Sequence, residues 1–77
     1  MPRFAAVTAV WAKKDNSYEE PTDLQVVVVN ARNHNQASDK VNAKLSLPRK
    51  IWLIRAEGCD YADAVQKLIL EAFAAAA

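Results

Sequence analysis

The sequence predicts an α+β domain of the order β-β-α-β-α, a three-stranded, mainly antiparallel sheet packed with two helices. Three observations predict it. Residues 24–31 (LQVVVVNA) hold four consecutive valines, which are stiff at χ1 and suit a pleated strand. Ala37, Val41 and Leu45 recur every four residues, one stripe of a helix, between the cap-forming Asn33 and Asn35 and the helix-stopping Pro48. Beyond the only glycine, Gly58, a second apolar face repeats at helical spacing.

Each element follows in turn. Residues 4–12 (FAAVTAVWA) are apolar and uncharged, with Val7, Thr8, Val10 and Trp11 favouring a strand. Residues 13–23 (KKDNSYEEPTD) are polar and contain Asn, Ser and Pro, so a long loop is expected there. The valine run follows as the second strand, and its unbroken apolar character suggests burial on both faces. Residues 36–46 form the first helix. Residues 49–56 (RKIWLIRA) form the third strand, with Ile51, Leu53 and Arg55 on one side and Trp52, Ile54 and Ala56 on the other. Gly58 makes a turn of positive φ. Asp60 caps the second helix with Asp63 three residues on, and Tyr61, Val65, Leu68, Ile69, Ala72 and Phe73 share its inner face.

Strand order stays open at this point. If the third strand pairs beside the first, the order is 2-1-3 and the sheet is wholly antiparallel. If it pairs beside the second, a right-handed β-α-β crossover results. The charge-free first strand favours the former and the valine run the latter. The second helix either joins the first on one face or covers the other.

Composition restricts function. The chain has 77 residues, ten Lys/Arg against nine Asp/Glu, one Cys and one His. That length allows one small domain with a core only just large enough. No long uncharged apolar stretch stands at either end, so neither a membrane span nor a signal peptide is expected. A single Cys excludes a disulfide framework and, with one His, a four-ligand Cys/His zinc site. A cytoplasmic protein with no metal and no cofactor is the expectation. The chain also lacks the glycines for a phosphate cradle.

No catalytic constellation appears. His34 lies in a cap region with no partner for acid–base work in sequence, and reads as a solvated polar residue. Cys59 stands at a helix start, which lowers a thiol pKa, but Glu57 and Asp60 oppose that effect. Trp11 and Trp52 read as core residues of strands.

Charge is more informative than its total of +1. Residues 1–14 carry +3, residues 15–23 carry −4, residues 32–55 carry +5 and residues 57–77 carry −3. Two contact surfaces follow. Lys40, Lys44, Arg49 and Lys50 are expected to form one basic patch. Tyr18, Glu19 and Glu20 are expected near the tip of the loop, an aromatic anchor flanked by acids for a basic partner. Leu70 falls outside the apolar face of the second helix and marks a candidate contact.

The stretch LQVVVVNARNHNQASDKVNAKLSLPRKIWLIRAEG resembles, in size and element order, small phage-encoded accessory proteins such as anti-CRISPR proteins and host-takeover inhibitors. The resemblance carries no residue roles. It implies a protein that binds a host complex and blocks it. The resulting expectation is a non-enzymatic protein-binding module that inhibits by steric or electrostatic blocking. The alternative is a small nucleic-acid-binding protein using residues 32–55. A homodimer is also expected from the small core and the wide apolar face of the second helix.

Overall fold

A computed structural model describes residues 2–14, 18–58 and 65–76. The elements are β1 (Arg3–Lys14), β2 (Tyr18–Asn30), α1 (His34–Asn42), β3 (Arg49–Ala56) and α2 (Gln66–Ala75), the β-β-α-β-α order read from sequence. The strands form one open antiparallel sheet of order β2-β1-β3, so the alternative with β3 beside β2 does not occur.

β1 is central because its side chains are small. Ala5, Ala6 and Ala9 are fully buried, and Val7 with them. Side chains alternate across the sheet, so these alanines let a helix approach on each side. α1 covers one face, where Phe4, Ala6, Val29, Ala31, Ala37 and Val41 form a core with Leu45 packed against it. α2 covers the other, where Ala5, Val7, Val65, Ile69 and Phe73 form a second core. The valine run divides between them. Val27 and Val29 pack toward α1, and Val26 and Val28 toward α2. The run thus has both faces covered while β2 remains an edge strand.

The expected loop at residues 13–23 is mostly strand. β2 begins at Tyr18, and Lys13 pairs with Glu19, Ala12 with Glu20 and Trp11 with Pro21. Pro21 is tolerated because β2 is an edge strand, where a missing donor need not break the ladder. The composition of residues 18–23 signalled a loop, and pairing with β1 overrode it.

Two bulges lie side by side at the middle of β1. Between Thr8 and Val10 the β2 partners step from Gln25 to Thr22, one extra residue, and Asp23 there has φ +53°. Between Val7 and Thr8 the β3 partners step from Leu53 to Ile51, leaving Trp52 as the extra residue. Trp52 is therefore out of register and 39% exposed rather than in the core. Trp11 is half-buried and belongs to neither core cluster.

α1 starts where its cap chemistry predicts. The Gln36 backbone N–H donates to Asn33 Oδ1 at 2.8 Å, and the Arg32 N–H donates to Gln36 Oε1 at 2.7 Å. This is a near relative of the capping box. The helix ends at Asn42 rather than Ser46. Turn bonds from Lys44 N–H to the Val41 carbonyl and from Leu45 N–H to the Asn42 carbonyl bring Leu45 back onto the core. In α2 only Val65, Ile69 and Phe73 reach the core. Leu68, expected on the inner face, is 37% exposed, so the buried stripe is narrower than periodicity suggested, while Leu70 at 48% lies outside it as expected. The Asp60 cap, Tyr61 and Asp63 lie outside the described residues, as does Cys59. Gly58 has the expected positive φ, +87°.

Arg3 joins the chain's two ends. Its Nε donates to Glu57 Oε1 at 2.9 Å and Nη2 pairs with Oε2. Nη1 donates to the Phe73 carbonyl at 3.3 Å, and the guanidinium sits 5.3 Å from the Phe73 ring centre. The hydrogen bond from Arg3 holds the Glu57 carboxyl below its usual pKa. Between the lowered value and the ordinary one the unfolded chain binds more protons, so this pair adds stability above the ordinary carboxylate range and loses it as pH falls through the lowered value. Glu57→Gln is accordingly less stable than wild type at neutral pH, and chemical denaturation across a pH series shows the difference closing in acid. A constant difference at every pH would mean that the charge of Glu57 is not involved.

Candidate functional site

β1 pairs with β3 only as far as Val10, but with β2 as far as Lys14. Residues 11–14 and 18–22 therefore run on past β3 as a two-stranded ribbon, consistent with extents of 42 × 26 × 19 Å. Where the ribbon leaves β3, the turn before that strand brings Leu47 and Pro48 beside it. Trp11, Glu19, Leu47, Pro48, Lys50 and Ile51 line an open depression of about 620 Å³ there. Leu47 is 82% exposed, the most exposed large apolar side chain among the described residues. The depression thus joins an aromatic and three aliphatic side chains to one acid and one base.

The sequence-predicted residues divide between several places. Glu19 lines this depression, directly opposite Lys13 in register, while Glu20 opposes Ala12 and Tyr18 opposes Lys14. They lie on a strand of the ribbon rather than in a loop, and there Glu19 of the acidic block faces Lys13 of the basic one.

The four basic residues do not form one patch. Arg49 is half-buried and committed inside the fold. Its Nη1 donates to the Asp23 carbonyl at 2.7 Å, to Thr8 Oγ1 at 3.1 Å and to the Thr8 carbonyl at 3.3 Å, and Nη2 pairs with the Asp23 carboxylate. It spans β1 from one edge of the sheet to the other and ties down the bulge whose αL residue is Asp23. Lys50 pairs with Ala9, next to the Arg49 position, and so faces the opposite side of the sheet and enters the depression. Lys40 and Lys44 stay together on α1. With Val28, Val29, Asn30 and Ala43 they line a shallow groove of about 440 Å³ against β2, where Lys40 Nζ donates to the Asn30 carbonyl at 2.6 Å.

His34 is exposed and sets its ring edge-on to Phe4, with centroids 4.9 Å apart. Among the described residues no three His, Cys, Asp or Glu side chains gather as a metal site would require, and no helix is long and apolar enough to cross a membrane.

Sequence reasoning missed Leu47, Pro48 and Ile51 as site residues. The available signal was an apolar residue, Leu47, next to a proline between two elements, where loops are usually polar. What made it a site was the ribbon beside it, which the loop assignment had removed. Comparison of the chain with protein-family models, with curated proteins and with solved structures finds no match.

Proposed function

We propose that this chain is a non-enzymatic protein-binding module that inhibits or modulates a larger complex by covering one of its faces. The observation that carries the reading is the exposed Leu47 beside Trp11, Pro48 and Ile51 at the base of the projecting ribbon. An apolar surface of that kind is costly to leave in water, and a partner side chain seated in the depression would recover the loss. Glu19 and Lys50 on the rim supply opposite charges that set orientation and speed encounter. Blocking by surface coverage is also what the resemblance to phage-encoded inhibitors implies.

The test is affinity capture from a lysate of the source cell with wild type, Leu47→Asp and a Lys40→Glu/Lys44→Glu double variant. Leu47 is so exposed that its replacement leaves the melting temperature near that of wild type. Capture of a defined partner by wild type, abolished in Leu47→Asp and kept in the double variant, supports the depression as the contact. Capture untouched by Leu47→Asp removes it. Loss in the double variant alone, together with salt-sensitive DNA or RNA binding, would turn the reading toward nucleic acid.

A further inference from the structure

The two edges of the sheet are treated differently. β3 carries Arg49, Lys50 and Arg55 and is bent by the Trp52 bulge, the usual devices against edge-to-edge pairing. β2 has Pro21 and the Asp23 bulge in its first half, but residues 24–29 (LQVVVV) carry no charge. Its backbone orientation follows from two bonds. Ala31 N–H donates to the Pro2 carbonyl at 3.0 Å, and Thr8 Oγ1 donates to the Gln25 carbonyl at 3.1 Å. Residues 25, 27, 29 and 31 thus turn their polar groups toward β1. Residues 26, 28 and 30 turn theirs outward, because the direction alternates along an antiparallel strand. Asn30 is capped there by Lys40. Val26 and Val28 present N–H and C=O groups on an edge with no neighbouring strand among the described residues.

We infer that this edge pairs with the same edge of a second copy, forming a symmetric dimer with a continuous six-stranded antiparallel sheet. The two-fold axis passes through Val27, so that Val26 of each copy opposes Val28 of the other and both outward residues are satisfied. Charge supports a second copy as the occupant. Lys40 and Lys44 flank the Asn30 end of the segment, while Glu20 and Asp23, whose carboxylate also holds Arg49, lie beyond its Leu24 end. Antiparallel pairing brings the basic end of one copy to the acidic end of the other, and does so twice. An axis normal to the sheet also keeps like faces together, so the exposed Leu68 and Leu70 are carried on helices that lie on the same side. The Leu47 depression sits toward the β3 side of the ribbon and stays open, so the dimer would present it twice.

Sedimentation equilibrium of the full chain tests this with Val26→Pro and with Lys40→Glu/Lys44→Glu. On the backbone, proline at 26 removes an outward donor, the place where an edge strand accepts it, though the valine packed toward α2 is lost with it. Wild type is expected to be dimeric at about 100 µM, with each variant raising the dissociation constant about tenfold or more. Register is read separately by oxidation of Val27→Cys in a Cys59→Ser background. Opposed residues of a non-hydrogen-bonded pair lie within disulfide reach, so a covalent dimer forms. Gln25→Cys, about 14 Å from its symmetry mate at 3.4 Å per residue, does not crosslink. A monomeric wild type, or a dimer indifferent to Val26→Pro, overturns the inference. Should Val26→Pro fail to fold, absence of the Val27 crosslink overturns it instead.

Discussion

Replacing Ile69 by alanine lowers stability by about 2–5 kcal/mol, the range for losing a buried aliphatic side chain and leaving a cavity. Ile69 is the largest fully buried side chain of the described residues and stands between Val65 and Phe73 in the α2 core. At roughly 0.05–0.15 kcal/mol per residue, a domain of this size holds only about 4–12 kcal/mol in all. Ile69→Ala therefore removes a large share, and the melting temperature read by circular dichroism falls by on the order of 10–30 °C. Leu70→Ala, one residue on and 48% exposed, shifts the melt by little. Equal effects of the two would mean that α2 does not dock through the Val65, Ile69 and Phe73 stripe.

The second large effect is expected at Arg49. Arg49→Met keeps the apolar stem and removes the guanidinium that bridges Thr8 and Asp23. Hydrogen bonds to a charged group contribute about 1.5–3 kcal/mol, so a loss of that order is expected. Arg49→Lys does not restore it, because one ammonium cannot reproduce a fork that meets a carbonyl, a hydroxyl and a carboxylate together. Asp23→Gly costs less than Arg49→Met. It removes the carboxylate but leaves the carbonyl acceptor and suits the positive φ. Measured by urea denaturation, a double variant no worse than Arg49→Met alone would show that the two residues act as one clamp. Fully additive losses would show that they do not. A basic residue read from sequence as a contact is, on this account, the fastener of a bulge.

Much of the fold was legible in short windows. Asn33 announced the start of α1 and Gly58 its positive-φ turn, whereas strict alternation in β3 misplaced Ile51, which the Trp52 bulge turns toward α1 with Ile54 and Ala56 while Leu53 faces α2. The site was less legible. Lys40 and Lys44 are one turn apart on a helix and had to be neighbours. Whether Arg49 and Lys50 joined them depended on alternation along a strand and on Asp23, 26 residues before Arg49 in sequence. The exposure of Trp52 depended on a bulge, which shifts register by one residue and has no signature in that stretch. Tyr18, Glu19 and Glu20 sat in a segment whose composition belongs to loops, and only their partners on β1 made it a strand.

Sequence by itself determined the element order, the helix cap, the glycine turn and the valines' need for cover on both faces, because these rest on local propensity and on the periodicity of apolar side chains. Tertiary structure decided strand order, the placing of the helices on opposite faces, the length of the hairpin and the partners of Arg3 and Arg49. Those depend on which distant segments meet. The small side chains of β1 allow two helices to close on it, which makes it the centre. Once it is central, β2 becomes an edge, Arg49 faces Asp23, and Lys13 comes to lie across from Glu19.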